Sequence, residues 1–282
     1  MIKMIKVERP QYIVVNFSGG KDSTAMLLRM IELGEHIDEV VCCDVGKEFP
    51  AMYRHIDKVR EIVEKESIKF TVLKADKPWD YWMFAHKPKV HNGNPSRNGY
   101  GWALVKSRWC TSLLKISVTD KYFRELRKKK NVLLQCLGIA VDETKRVGNK
   151  NNNGADIRLP LVEWGWTEKD CLDYCYAKGF DWEGLYEIFH RVSCWCCPLK
   201  SLQELRNLRE HFPDLWEYLK EMDKRAWNQF KADYSVEDLE TRFNLEKEFL
   251  AQGKSIMSKE FFAELKRRLG KEEQALAERS EK

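Results

Sequence analysis

Residues 16–30, NFSGGKDSTAMLLRM, set two glycines, a lysine and two hydroxyl residues between an apolar run and a stretch of helical periodicity. A turn that joins a strand to a helix exposes unsatisfied backbone N–H groups at the positive end of the helix dipole. Glycines there let the backbone approach an anion closely. Ser18, Gly19, Gly20, Lys21, Asp22 and Ser23 therefore read as an anion-binding turn. It is not a Walker A loop, because the spacing GxxxxGK followed by Ser or Thr is absent.

Working outward, apolar β-rich runs alternate with amphipathic stretches, which predicts strands at residues 12–17, 39–44, 69–74 and 131–137 with helices between them. The fold class that follows is α/β: a Rossmann-like parallel sheet with helices on both faces, plus a helical C-terminal region. The first helix should stop near Gly34, a C′ glycine, and the second should start at Pro50. Residues 75–109 lose the regular pattern and read as a long functional loop, in which His86, Lys87, Lys89, His91 and Arg97 mix with Trp79, Tyr81, Trp82 and Tyr100. Helical periodicity returns over residues 111–130, and KNNNGAD at 150–156 reads as a second insert. Thr167 with Asp170, and Ser201 with Glu204, have the capping-box spacing of helix starts. The change of character near residue 191 divides the chain into a nucleotide-binding α/β domain, 1–190, and a cysteine-containing helical region, 191–282.

The chain has 282 residues, 43% hydrophobic and 33% charged, with a net charge of +5, which permits an anionic partner without requiring one. No run is long and apolar enough for a membrane span, and MIKMIKVERP lacks a signal-peptide core, so a cytoplasmic protein with no membrane partner is expected. Nine cysteines in a reducing compartment read as metal ligands or reactive groups rather than as disulfides. Cys194 and Cys197 form a CxxC pair in SCWCCPLK, with Cys196 beside them and Cys110 in KSRWCTSLLK. Such thiols suit a soft metal centre, zinc or iron–sulfur. Cys42, Cys43, Cys136, Cys171 and Cys175 read as core residues.

SGGKDS after an apolar strand resembles the pyrophosphate-binding loop (PP-loop) of the adenine nucleotide alpha-hydrolase superfamily, enzymes that cleave ATP between the α- and β-phosphates. DVGKEFP, residues 44–50, is similar to the DTGxEFP segment of the phosphoadenosine phosphosulfate (PAPS) reductase family, and GIAVDETKR, residues 138–146, to its GxRxxESxxR segment. The resemblance runs from the first strand to the CxxCP. It implies that the backbone of Ser18, Gly19 and Gly20 and the side chains of Lys21 and Ser23 hold the β- and γ-phosphates of ATP, with Asp22 close to the Mg²⁺-bound phosphates. It makes Lys21 and Asp22 the catalytic candidates, and Asp44, Asp142, Glu143 and Arg146 further nucleotide-site candidates. Ala140 departs from the family's first arginine, and a surface ion pair explains Glu143 and Arg146 as well. The family also places an RxCxxxLK-like segment where its cysteine can meet a CxxCP. The metal set it implies is Cys110, Cys194, Cys196 and Cys197, holding a [4Fe–4S] cluster, with zinc as the alternative.

The intact loop and the lack of a cysteine after Cys197 point away from a sulfonucleotide reductase despite the family name. They favour an ATP-consuming sulfurtransferase similar to the enzymes of tRNA thiolation and DNA phosphorothioation, with a nucleic-acid substrate and a sulfur donor such as a cysteine desulfurase. The alternatives are a PAPS or adenylylsulfate reductase releasing sulfite, and a nucleotide- or nucleic-acid-binding module with structural zinc.

Overall fold

The structure, a computed structural model, describes residues 11–88, 98–130, 132–147 and 156–270. It divides into two units, one comprising Met1–Trp79 and Arg108–Trp195, the other Asp80–Ser107 and Cys196–Lys282.

The first unit is built on five parallel strands: β1 (Tyr12–Phe17), β2 (Glu39–Cys43), β3 (Lys69–Leu73), β4 (Leu133–Leu137) and β5 (Asp156–Arg158), in the order β3-β2-β1-β4-β5. Successive side chains of a strand point to opposite faces. On β1, Val14 packs with Phe123 and Leu126 of the helix Ser117–Lys129, while Phe17 meets His55 of helix α2 (Pro50–Lys65). Helices thus cover both faces, as the near-continuous apolar strands require.

β1 is the centre of the sheet. The chain runs outward from it through β2 and β3, then returns to its other side for β4 and β5. That reversal opens a crevice beyond the carboxyl ends of β1 and β4, where open α/β sheets bind ligands. The glycine turn stands there, between β1 and helix α1 (Lys21–Glu32). Two differences from the sequence expectation stand out. β5 is a three-residue strand, DIR, too short and too charged to register as an apolar run. The helix expected over residues 111–130 begins at Trp109 and passes through a π-helical turn, Ser112–Ile116, before settling into Ser117–Lys129.

The second unit consists of residues 80–107 and the C-terminal helices Leu202–His211, Pro213–Arg225, Val236–Ala251 and Lys259–Arg268. Trp102 is its anchor. Asn228 accepts from the Trp102 amide at 2.7 Å and donates to its carbonyl at 3.1 Å, and Asp223 takes the indole N–H at 2.8 Å. The long loop is therefore structurally part of the helical unit, and its His91, Lys89 and Arg97 lie outside the described residues. No helix among the described residues is long and apolar enough to cross a membrane.

Candidate nucleotide site and cysteine cluster

The turn after β1 is held by its own hydroxyls. Ser23 Oγ donates to the Gly20 carbonyl at 3.0 Å, lies 2.9 Å from Ser18 Oγ, and accepts from the Ser18 amide at 3.1 Å. Gly19 adopts φ 79°, the left-handed region that a side chain disfavours. A Cβ on Gly138, just beyond β4, would lie 2.8 Å from both the amide nitrogen and the Cα of Ser23. Only a glycine lets the end of β4 come this close to the first turn of α1.

Lys21, the first residue of α1, is almost fully buried, and its ammonium bonds the carboxylates of Asp22, at 3.2 Å, and Glu168. Burial opposes its charge, but Glu168 and Asp22 outweigh that and raise its pKa. The Asp22 pKa rises as well, which for a carboxylate disfavours the charge: burial lifts it, the neighbouring Lys21 offsets part of the rise, and Glu168 and Glu143 add to it. Two carboxylates thus flank one lysine at the positive end of α1, and Glu143 adds negative charge at Asp22. Glu168 is itself placed by Asp142, whose carboxylate accepts its amide at 3.1 Å. Thr167 caps that helix, Glu168–Ala177, through a reciprocal capping box with Asp170.

The other expected nucleotide contacts are arranged less directly. Asp44, at the end of β2, accepts from the Gly46 amide at 2.7 Å and the Tyr53 hydroxyl at 2.9 Å, and pairs with Lys74 at 3.1 Å. Burial works against its charge, yet these donors bring its pKa below the ordinary value and keep it ionised. Glu143 and Arg146 form the i,i+3 ion pair that the plainer reading expected, with Arg146 largely exposed.

Besides Glu168, sequence reasoning missed two residues that bond the backbone of the turn. Tyr186 accepts the Lys21 amide at 2.9 Å, and the Trp182 indole donates to the Gly19 carbonyl at 2.8 Å. Both arrive from more than 160 residues downstream, so no local pattern announces them.

Of the cysteines, Cys110 and Cys194 belong to the first unit and Cys196 and Cys197 to the second. In the first unit Lys115 is an exposed residue whose ammonium is nonetheless crowded by neighbouring atoms. Burial opposes its charge, but Cys194, Glu48, Cys43 and Cys110 more than compensate and raise its pKa. The Cys43 thiol donates to the Leu114 carbonyl at 3.2 Å, and Cys194 to Glu48 at 3.6 Å. Cys43 is half-buried and faces Lys115, unlike Cys42, Cys136, Cys171 and Cys175, which are fully buried as core residues. The chain next to Cys194 is pinned by Lys47. Its carbonyl takes the Trp195 amide at 3.1 Å, and its ammonium lies over the rings of Trp79 (5.1 Å) and Trp195 (5.8 Å). In the second unit the Lys231 ammonium donates to the carbonyls of Pro198 and Lys200, at 2.8 and 2.7 Å, fixing the turn that follows Cys197. Among the described residues, no three His, Cys, Asp or Glu side chains stand together as a metal-holding group.

Residues 12–200 match the family model of the phosphoadenosine phosphosulfate reductase domain. The uncharacterized protein MJ0066 of Methanocaldococcus jannaschii is 28% identical over 75% of this chain and 41% of its own length. The uncharacterized protein MJ0973 of the same organism is 24% identical over 72% of this chain and 46% of its own. The chain thus spans less than half the length of either relative. Among solved structures, the U34-tRNA thiolase NcsA from Methanococcus maripaludis with its [4Fe–4S] cluster aligns with a TM-score of 0.39 and 13% identity, over 77% of this chain and 70% of that one.

Proposed function

The chain belongs to the phosphoadenosine phosphosulfate reductase domain family, and from that membership we propose that it is an ATP-dependent, AMP- and pyrophosphate-forming sulfurtransferase that adenylates a nucleic-acid substrate for thiolation. The observation that carries this reading is the Lys21 ammonium, set beside the glycine turn at the start of α1, in the crevice where the strand order reverses. A buried cation and a helix N-terminus together suit the charge that builds on a departing pyrophosphate.

The steps balance as a substitution. A carbonyl oxygen of the substrate attacks the α-phosphorus of ATP. The bond to the bridging oxygen breaks, and pyrophosphate leaves with the electron pair. A hydrosulfide donor then adds at the activated carbon, and AMP leaves with the C–O electron pair. Oxygen is exchanged for sulfur with no net oxidation.

In the first step Lys21 exchanges Glu168 for phosphate oxygens, and the turn from Ser18 to Gly20 lends the amides of Gly19 and Gly20, the Ser18 amide being held by Ser23. Asp22, with Glu168 and Glu143 adding to the negative charge around it, would face a hard divalent cation such as Mg²⁺ carried in on the phosphates of ATP. A nucleic-acid substrate is supported by the aromatic cluster of the second unit. There Trp82 and Tyr100 stack at 6.2 Å, His86 lies 4.9 Å from Tyr100, and Arg225 covers Phe84 at 4.1 Å. Rings and cations in this mixture suit unpaired bases and their phosphates.

Cys110, Cys194, Cys196 and Cys197 are the residues that would hold a [4Fe–4S] cluster, or zinc in its place. Among the described residues, no three of them stand together as a ligand group. Iron, sulfide and zinc analysis of anaerobically purified protein decides between the two.

The function is tested by incubating the protein with ATP, Mg²⁺, labelled sulfide and either total RNA or fragmented DNA. Label should enter one polymer only when ATP is present, and Lys21→Ala should abolish it. No labelling of either polymer would remove the substrate assignment.

A further inference from the structure

Tyr186 sits where a phosphate-binding turn normally presents a bare amide. Its hydroxyl accepts the N–H of Lys21 at 2.9 Å, and a Cβ added to Gly20 would lie 3.4 Å from the same oxygen. A tyrosine hydroxyl has one proton to donate as well as lone pairs to accept. Among the described residues, the Tyr186 proton has no acceptor.

The ring is held in place by a strained support. Trp182, Glu183 and Gly184 all have positive φ, 49°, 54° and 81°, and the first two are not glycines. Such backbone persists only where its surroundings enforce it. Here the enforcers are visible: the Trp182 indole donates to the Gly19 carbonyl at 2.8 Å, Glu183 pairs with Arg54 of α2, and the Tyr186 ring meets Trp182 edge-on at 4.8 Å. A turn built against backbone preference thus delivers one hydroxyl to the first amide of α1.

We propose that Tyr186 is a phosphate-contacting residue of the nucleotide site, relaying the Lys21 amide outward through its own O–H to the β- or γ-phosphate of ATP. This rests on the ATP-cleaving reading above. An N–H donated to the oxygen makes the O–H a stronger donor. Burial, the largest influence, raises the phenol's pKa; the bond from the Lys21 amide works against that rise, the negative charge of Asp22 adds to it, and the proton stays in place. The relay reaches an anion further out than the amide alone, while Lys21 itself swings from Glu168.

The test compares MgATP and AMP binding by calorimetry in the full chain, in Tyr186→Phe and in Lys21→Ala. Loss of one hydrogen bond to a charged group should weaken MgATP binding about 10-fold in Tyr186→Phe. AMP, which lacks the outer phosphates, should bind the variant as it binds the parent. Unchanged or tighter MgATP binding would overturn the relay and make Tyr186 a plug on the amide. Parallel loss of AMP and MgATP would overturn it too, since that marks a general distortion of the turn. Failure of the underlying reading looks different: the parent would then bind MgATP no better than Lys21→Ala does.

Discussion

Lys21 opens α1, Glu168 opens another helix 147 residues later, and the two side chains form an ion pair at the mouth of the phosphate turn. On the proposed function, the pair places a carboxylate where a phosphate oxygen of ATP would bind. Glu168 keeps 40% of its side chain in solvent, so the pair is screened and contributes little to stability. Its effect falls on ligand binding.

Glu168→Gln should therefore tighten pyrophosphate binding by about two- to fivefold, the equivalent of a partly exposed ion pair of up to about 1 kcal/mol. Calorimetry with pyrophosphate alone reads this directly. Weaker binding would mean that Glu168 holds Lys21 in place for the anion rather than competing with it.

His55, beneath the turn, lies 3.0 Å from the Thr24 hydroxyl, and burial lowers its pKa to about 3. A histidine with a depressed folded pKa contributes stability above its unfolded value near 6.5 and loses it as pH falls toward about 3. Between pH 7 and pH 5 the loss is about 2 kcal/mol. Chemical denaturation at the two pH values should show it, and His55→Gln should flatten the difference.

Gly138→Ala forces a methyl group into the backbone of Ser23, where no flexible side chain can yield. A stability loss of about 1–3 kcal/mol is expected from the overpacking, with a larger fractional loss of ATP affinity because the first turn of α1 must shift. An unaltered melting temperature and unaltered ATP binding would show that β4 does not brace the turn.

In the helical unit, Asp223 accepts both the Trp102 indole and the Val236 amide, at 2.8 and 2.6 Å. Asp223→Ala leaves these donors, and the Phe230 amide that also bonds the carboxylate, without their partner and should destabilise that unit by about 2–4 kcal/mol. Asp223→Asn, which keeps an acceptor for Trp102, should recover part of it. Limited proteolysis of residues 80–107 and 196–270 is the readout.

The central sheet was legible wherever burial made a strand continuously apolar. β1 matches its expected bounds, and β2, β3 and β4 fall within one or two residues of theirs. The caps at Thr167 and Ser201 were legible too, because a capping box is a local hydrogen-bond pattern. So was the turn from Ser18 to Ser23, whose chemistry is contiguous. Tyr186, Trp182 and Glu168 were not, since each reaches the turn through tertiary packing that leaves no spacing in the chain. The grouping of residues 80–107 with the C-terminal helices depends likewise on Asn228 and Asp223 clasping Trp102 from more than 120 positions away. Cys43 was read as core because it follows buried Cys42 in a strand, but alternation turns it toward Lys115.

The most direct measurement is the identity of the products from ATP. The protein, incubated with Mg²⁺, sulfide, nucleic-acid substrate and ATP labelled at the α-phosphate, should release labelled AMP together with unlabelled pyrophosphate, and Lys21→Ala should release neither. Labelled ADP with free phosphate would place the cleavage at the wrong bond and contradict the account.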